Sequence, residues 1–343
     1  MKNCTTISID LAKSVFQVAL FNEHGVLKSN KKVSQDKLVQ FVINHPGAVV
    51  CMEACGTAHY WGRRFKEMGY VVRLVPAHIA AKYRTGNKND ANDAVAIYEA
   101  AKRAKTYFVS VKTMEQQDLA SLLRLRQGYV KQRTQLINRG RGLGLEYGIK
   151  IPKSIGKFRK HVPGIVEDAE NDLSVSCRYV LNNLLQELYR LDEAIEQATK
   201  ELEAFAKTIN ACQLLVSLPG VGWIVASGLY ARLGDASAYR CGRDASASVG
   251  LVPGHSGTGG KNTLHGITKR GDRYLRSLVV HGARAVVSWT LGKEEKKDSL
   301  SSWIREQASR NHLNKTVVAL ANKIVRMAYA ILKTGTPYQP NFA

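Results

Sequence analysis

Apolar and polar residues alternate in short, well-separated blocks over the first hundred residues of the chain. Blocks with the apolar or alternating pattern of strands occupy residues 5–10, 15–21, 26–33, 48–52 and 71–75. Blocks with the spacing of amphipathic helices occupy residues 34–45 and 56–68, and a further helix begins at Asp90. The predicted order is three strands, followed by helix, strand, helix, strand and helix.

This order of elements restricts the fold. Consecutive strands joined by tight turns pair antiparallel, whereas strands separated by a helix usually pair in parallel. The expected N-terminal domain is therefore α/β, with a mixed sheet of the ribonuclease-H-like (RuvC-like) type. Actin-like kinases share the same order of elements and are an alternative at this stage.

The segment from residue 102 to residue 160 is strongly basic, with 15 lysines and arginines against three acids. Residues 116–138 have a regular helical pattern, and the glycines within residues 139–144 are expected to end that helix. So large an excess of positive charge favours phosphate contacts over a merely solvated face. The residues selected as nucleic-acid contacts are Arg124, Arg126, Lys131, Arg133, Arg139 and Arg141.

The next segment, residues 167–203, is acidic, with ten acids and three bases. Apolar residues recur every seven positions in two series, Leu181, Leu188, Ile195 and Leu202, and Leu184, Leu191, Ala198 and Phe205. Four heptads of this kind predict a coiled coil. It could close on the basic helix of the same chain or pair with a second protomer, and we favour self-association.

The C-terminal part is mainly helical and contains two glycine-rich segments. Within residues 214–233, two helices flank a Pro-Gly-Val-Gly turn, which is typical of a helix-hairpin-helix. Gly220 and Gly222 would let backbone N–H groups approach a phosphate, although a purely structural corner is the alternative. Residues 254–260 are predicted to form a loop rich in glycine and hydroxyl groups. Its neighbours include His255 and His265 and the expected phosphate contacts Lys261, Lys269, Arg270, Arg273 and Arg276.

The composition supports a nucleic-acid partner. The 343 residues include 50 lysines and arginines against 28 acids, which gives a net charge of +22 and a pI near 9.8. Such a charge on a chain with 45% hydrophobic residues indicates a folded protein that binds a polyanion. The six cysteines lack zinc spacing, and no signal peptide or membrane span is expected, so a reduced, cytoplasmic protein is predicted.

Four carboxylates stand where predicted elements end or begin. Asp10 and Glu53 follow two apolar strands, and Asp90 and Asp93 share one face at the start of a helix. Because the two strands are expected to be neighbours, the four acids can hold two divalent cations, of which magnesium suits oxygen ligands best. Taken singly, each has a simpler explanation: Asp90 as a helix cap, Asp93 near a helix dipole, and Glu53 paired with an arginine.

Three blocks around these acids resemble the motifs of the DEDD-type insertion-sequence transposases. They read Ile9-Asp10-Leu-Ala-Lys13, Met52-Glu53-Ala-Cys-Gly-Thr57 and Asn89-Asp90-Ala-Asn-Asp93-Ala. The segments that resemble the C-terminal transposase domain of that family are Leu218-Pro-Gly-Val-Gly222, Gly250-Leu-Val-Pro253 and residues 267–284. The resemblance spans nearly the whole chain, in order.

The resemblance implies a fold of class α/β plus all-α in three regions. They are a RuvC-like domain at 1–112, a basic helix and coiled-coil linker at 113–208, and a C-terminal transposase domain at 209–335. It also implies an Mg²⁺-binding tetrad at Asp10, Glu53, Asp90 and Asp93. Members of the family act on donor and target DNA as homo-oligomers, dimers or tetramers, guided by a bridge RNA. One active site there combines the acids of one protomer with a nucleophilic serine of another.

That serine is replaced in this chain. Counting from Pro253, and back from Gly271, places the nucleophile at Thr258, whose hydroxyl can do the same chemistry although its β-branch restricts the rotamer. Ser256, two residues away, is the second candidate. Arg270 or Arg273 would assist at the phosphate.

The predicted function is therefore an RNA-guided DNA recombinase that breaks and rejoins strands through a covalent hydroxyl–phosphate intermediate. A metal-dependent junction nuclease with water as nucleophile is the first alternative. A sugar kinase would need further glycine-rich phosphate loops and leaves the charge unexplained. A non-catalytic RNA- or DNA-binding scaffold would not need Asp10.

Overall fold

The computed structural model describes residues 5–104, 106–293 and 298–341. The chain divides into two compact units. The sheet unit comprises the residues up to 116 together with 233–240, and the helical unit comprises residues 117–232 and those from 241 onwards. Within the described ranges, every helix is too short or too polar to cross a membrane.

A five-stranded mixed sheet forms the centre of the sheet unit. Its strands are β1 (Thr6–Asp10), β2 (Val15–Phe21), β3 (Leu27–Ser34), β4 (Val49–Glu53) and β5 (Val71–Val75). Their spatial order is β3-β2-β1-β4-β5, with β1–β2 and β2–β3 antiparallel and β1–β4 and β4–β5 parallel. The predicted strand pattern and the mixed sheet are confirmed.

Helices cover both faces of this sheet, and β1 and β4 are accordingly buried along almost their whole length. The helices are α1 (Gln35–Ile43), α2 (Ala58–Glu67), α3 (Ala77–Ala80) and α4 (Asp90–Lys102), with a 3₁₀ turn at Ala81–Tyr83. Leu38 of α1 and Trp61 and Phe65 of α2 pack with Ile9 and Met52 on one face. α4 covers the opposite face. Asp10 and Glu53 are the last residues of β1 and β4.

The helical unit contains most of the remaining elements. They are α5 (Met114–Glu146), α6 (Ile155–Glu167), α7 (Val175–Lys207), α8 (Asn210–Val216), α9 (Trp223–Leu233), α10 (Gly242–Val249), β6 (Pro253–Thr258), β7 (Lys261–Ile267), α11 (Arg273–Leu291), α12 (Ser299–Arg310) and α13 (Leu313–Thr334). The prediction of a mainly helical C-terminal part is confirmed.

The predicted end of the basic helix at residues 139–144 is wrong, because α5 continues to Glu146. Isolated glycines weaken a helix. Here neighbouring groups occupy the space that side chains at these positions would fill. A Cβ at Gly140 would lie 2.7 Å from Cζ of the buried Phe158 ring in α6. A Cβ at Gly144 would lie 3.0 Å from the carbonyl oxygen of Ile149. Close packing therefore compensates for the low helix propensity of the glycines.

The heptad positions of α7 are largely buried within the chain itself. Leu181 and Leu188 pack with Leu136 of α5 and Phe158 of α6 in one apolar cluster. α5 and α7 run antiparallel, since Arg126 Nε donates to Thr199 Oγ1 at 2.8 Å and Arg133 Nη1 donates to Asp192 Oδ1 at 2.8 Å. Contacts within the chain thus account for much of the heptad pattern, and self-association stays a prediction.

The segment at 254–260, predicted to be a loop, instead forms most of the first strand and the turn of a β-hairpin. β6 and β7 pair antiparallel, with Thr258 opposite Lys261. Gly259 and Gly260 form the turn between them with φ of +54° and +80°, which glycine adopts without strain. The pattern gave no sign of strands because both are exposed along nearly their whole length and need no apolar face.

Candidate active site

Two of the four predicted acids lie side by side at one edge of the sheet. β1 and β4 are parallel neighbours with Ile9 opposite Met52, so Asp10 and Glu53 each follow one residue later. Both side chains are partly buried. The carboxyl ends of parallel strands meet at the same edge, which is where open α/β sheets bind ligands.

Polar side chains of the sheet fix the start of α4 beside this edge. Ser8 of β1 is fully buried, and its Oγ donates to the Ala94 carbonyl at 2.6 Å. Asn30 Nδ2 donates to the Ala91 carbonyl at 3.0 Å, and Gln17 Nε2 donates to Asn30 Oδ1 at 2.6 Å. The sequence analysis missed these residues, although a serine and a glutamine inside apolar strands were a signal for them.

α4 brings the other two acids to the site. The first-turn acids of this helix are Asp90 and Asp93, of which Asp90 is exposed and Asp93 partly buried. The N-cap is Asn89, whose side chain accepts from the Asn92 backbone N–H at 2.8 Å. The simpler interpretation of Asp90 as the helix cap is therefore wrong.

The four carboxylates interact electrostatically. Burial, followed by the charges of Asp93, Asp90 and Glu53, raises the pKa of Asp10 from 3.8 to about 6. Burial and the charge of Asp93 also raise the pKa of Glu53. Arg84 counteracts both shifts. Negative charge is thus concentrated at this edge and only partly compensated by the protein.

Arg84 is a member of this site that the sequence analysis missed. Its Nε donates to Asp93 Oδ1 in a close ion pair, and the two side chains are 26% and 18% exposed. In the part of the chain that the structure describes, Arg84 is the basic residue in ionic contact with one of the four acids. Its position in a polar loop, nine residues before its partner, gave no signal in the sequence.

The two candidate nucleophiles lie on the β6–β7 hairpin of the helical unit. Both Ser256 and Thr258 are exposed. Ser256 Oγ lies 2.7 Å from His265 Nε2, within hydrogen-bond distance of a base that could accept its proton. Among the described residues, the Thr258 hydroxyl has no comparable partner; Thr258 stands next to the glycine turn, opposite Lys261.

Two family models match the chain. One is described as a transposase of the IS116/IS110/IS902 family and covers residues 212–299. The other, of DEDD type and also described as a transposase, covers residues 7–147. The four acids fall inside the second match, and the β6–β7 hairpin falls inside the first.

The chain is also similar to curated transposases along its whole length. It is 40% identical over 339 residues to the transposase for insertion sequence element IS1111A of Coxiella burnetii, covering 99% of this chain and 92% of that protein. This chain belongs to the IS110 family of insertion-sequence transposases. It is 38% identical to a probable family 20 transposase of Pseudomonas aeruginosa and 36% identical to the transposase for insertion sequence element IS1328 of Yersinia enterocolitica, covering 98% of this chain and 99% of each relative.

A DEDD-type domain implies the use of divalent metal ions, and the donors of this transposase fit such an ion. All four are carboxylates, the oxygen ligands that hard cations prefer, and a bound cation would relieve the repulsion that raises the pKa of Asp10. Within the described ranges, no three His, Cys, Asp or Glu side chains are grouped to hold an ion as they stand.

The basic residues selected on α5 divide into two groups. Three are exposed: Arg124, Lys131 and Arg139. The other three contact the transposase itself. Arg126 and Arg133 contact α7 as described above, and Arg141 Nε donates to the Ile151 carbonyl at 3.2 Å.

The basic residues near the hairpin divide in the same way. Four are exposed: Lys261, Lys269, Arg270 and Arg273. Arg276 instead donates through Nη1 to the carbonyls of Val249, at 2.9 Å, and Arg270, at 3.1 Å. It therefore supports the backbone of the basic turn.

The two glycines of the α8–α9 turn differ in their surroundings. Gly220 has φ of +78° and packs against α11, where a Cβ would lie 2.7 Å from the Gly282 carbonyl oxygen. Gly222 is exposed, and a Cβ there would have open space around it. Close packing against α11 is thus sufficient to explain why a glycine stands at position 220. The backbone at Gly222, in contrast, is accessible to solvent and to a ligand.

Proposed function

We propose that this transposase cuts and rejoins DNA through a covalent protein–DNA intermediate, with Asp10, Glu53, Asp90 and Asp93 as a site for Mg²⁺, two ions when fully loaded. The observation that carries the proposal is the cluster of carboxylates at the edge of β1 and β4, where burial and like charges raise the pKa of Asp10 to about 6. Such concentrated, poorly compensated charge is typical of functional sites. Bound Mg²⁺ would stabilise negative charge on the scissile phosphate and the departing oxygen.

The bonds and protons of the proposed reaction can be accounted for with groups of the protein and the DNA. A hairpin hydroxyl oxygen attacks the phosphorus, its proton passes to a base, and the phosphorus–oxygen bond to the 3′ oxygen breaks. The 3′ oxygen leaves as a hydroxyl after protonation, and the 5′ phosphate remains esterified to the protein. Attack by the 3′ hydroxyl of another strand reverses these steps and rejoins the DNA.

Two hydroxyls compete for the role of nucleophile. Family counting places it at Thr258, whereas the contact with His265 provides a proton acceptor for Ser256. Arg270, exposed in the turn after β7, and Arg273, exposed at the start of α11, are suited to contact the phosphate.

The test is to trap the adduct on a nicked substrate with Ser256→Ala, Thr258→Ala and His265→Asn variants. Loss of the adduct in one alanine variant identifies the nucleophile. If that residue is Ser256, His265→Asn should slow adduct formation by about 10²-fold or more, as expected for loss of a general base. Cleavage without any adduct, and with both alanine variants active, would instead indicate a nuclease with water as nucleophile.

Finer features of the fold support the same proposal. The strand order β3-β2-β1-β4-β5 fits a ribonuclease-H-like domain, the heptads of α7 suit a coiled coil, and the turn between α8 and α9 suits a helix-hairpin-helix. On this basis we keep the three predicted regions 1–112, 113–208 and 209–335 as the functional domains.

We also propose that the transposase works as a homo-oligomer, dimer or tetramer, guided by a bridge-type RNA that pairs with donor and target DNA. The net charge of +22 supports binding of nucleic acid, DNA or RNA. If one copy supplies the acids and another the hydroxyl, mixing Asp10→Asn protein with the hydroxyl-less variant should restore cleavage. Sequencing of RNA that co-purifies with the protein tests the guide.

A further inference from the structure

Arg84 is a charged group at the acidic edge to which the proposed reaction assigns no role. Its guanidinium contacts Asp93 through Nε, and both side chains are mostly shielded from water. The guanidinium carries a positive charge that is delocalised over a planar fork of donors. Asp93 is therefore neutralised by the protein itself when no metal is present.

The backbone around Arg84 is held on both sides, while its side chain makes one contact. The 3₁₀ turn at Ala81–Tyr83 precedes it, and the following loop is tied to α4 because Asn92 Nδ2 donates to the Asn87 carbonyl at 2.8 Å. Within the described residues, only Nε of the guanidinium has a partner, which leaves both Nη groups available. A planar donor fork on a fixed base can change partner by rotating its side chain.

The Asp93 carboxylate cannot bind the Arg84 guanidinium and a divalent metal ion equally well at the same time. A divalent ion held by the four acids would repel the guanidinium at short range and compete for the oxygen of Asp93. Arg84 therefore needs another anion when the metal loads. The substrate provides one, since a phosphate of the DNA backbone must lie beside the metal site for cleavage, and arginine binds phosphate oxygens through paired N–H groups.

We propose that Arg84 couples metal loading to DNA binding: it holds Asp93 in the free protein and transfers to a backbone phosphate when DNA arrives, which releases Asp93 for the metal. This inference rests on the proposed metal site. Its consequence is reciprocal, because a coupling free energy acts equally on both ligands. DNA should tighten metal binding, and the metal should tighten DNA binding.

The experiment measures Mn²⁺ affinity of the full chain by calorimetry, with and without a short duplex DNA. In the unaltered protein, DNA should tighten Mn²⁺ binding by about tenfold, within the range typical of coupled sites. In Arg84→Gln, Mn²⁺ should bind tighter without DNA by a similar factor, because the competing cation is gone, and DNA should add little. Arg84→Lys retains the charge and should behave between the two.

Arg103→Gln is the matched control. Arg103 stacks on the Tyr83 ring, 5.6 Å from its centroid, so this substitution removes the same charge beside the same turn from a residue that does not contact the acids. It should leave the coupling unchanged. Equal Mn²⁺ affinity of the unaltered protein and both Arg84 variants, without DNA, would overturn the inference while leaving the metal site intact. No Mn²⁺ binding to the unaltered protein, with or without DNA, would overturn the metal site itself.

Discussion

At the scale of single residues, the acidic edge is a place where function opposes stability. Asp10 ends an apolar strand and is partly buried beside three other carboxylates. Its charged form is disfavoured there by burial and by repulsion. We therefore expect the site to be less stable without its cation than a neutral version of it.

The first prediction concerns Asp10→Asn and pH. The pKa of Asp10 is raised from 3.8 to about 6 in the folded state, so the native protein binds more protons than the unfolded chain between these values. Stability then falls as pH rises through this window, and the loss is complete above it. With a chelator near pH 8, Asp10→Asn should raise the free energy of unfolding by about 1 kcal/mol, a figure reduced for solvent screening.

Denaturant titrations near pH 8 and near pH 4 check this. The gain should vanish near pH 4, where the carboxyl is protonated in the folded state. Glu23→Gln, at an exposed turn, is the control and should change little. Adding Mg²⁺ should stabilise the unaltered protein but not Asp10→Asn. A destabilising effect of Asp10→Asn near pH 8 without metal would contradict the prediction.

At the scale of elements, α5 shows that helix boundaries depend on the neighbours of a helix. Two of its glycines have different surroundings although they are two residues apart. Gly140 is buried against Phe158, whereas Gly142 is exposed and a Cβ there would meet no atom within 4 Å. An added side chain is therefore expected to stabilise the protein at Gly142 and to destabilise it at Gly140.

The second prediction compares alanine at these two positions. Gly142→Ala should stabilise the protein by about 0.5–1 kcal/mol, because alanine loses less backbone entropy in a helix. Gly140→Ala gains the same propensity but forces the Phe158 ring to move in a packed core, so a net loss of about 1 kcal/mol is expected. Denaturant unfolding of both variants measures the difference. Equal effects of the two alanines would show that α6 does not restrict Gly140.

At the scale of the whole molecule, the net charge of +22 is not equally available to a partner. The acids of α7 occupy some of the arginines of α5 and α6, since Asp192 binds both Arg133 and Arg159. Other arginines stabilise the backbone, as Arg276 does. The charge that can reach phosphates is therefore the exposed subset, which includes Arg124 and Lys131 on the outer face of α5.

The third prediction tests this division by salt dependence. The double variant Arg124→Ala, Lys131→Ala should weaken nucleic-acid binding and lower the slope of log affinity against log salt by about two, one for each phosphate that the protein no longer neutralises. The control variant Arg126→Ala, Arg133→Ala removes the same charge from the face that packs on α7. It should lower stability and leave the slope nearly unchanged. The reverse pattern would show that Arg126 and Arg133 leave their partners on α7 and bind the nucleic acid.

Much of the sheet unit could be predicted because its signals are local. Apolar strands buried on both faces have a continuous hydrophobic pattern, and their order along the chain limits how they can pair. Acids at the ends of such strands are conspicuous, so Asp10 and Glu53 were found together with Asp90 and Asp93. In the folded protein the charges of the other three acids contribute to the raised pKa of Asp10, and the metal site stays a prediction.

The amino-acid sequence alone therefore specifies the elements of the sheet, their order, and the acids at its edge, because burial imposes a pattern on neighbouring residues. Features that depend on distant partners became visible only in the folded chain. Phe158 packs against Gly140, an exposed hairpin forms without an apolar pattern, and the arginines that face α7 are separated from those that face solvent. Arg84 meets Asp93 in the same way. A long polar side chain can reach in many directions, and the surrounding fold decides which one it takes.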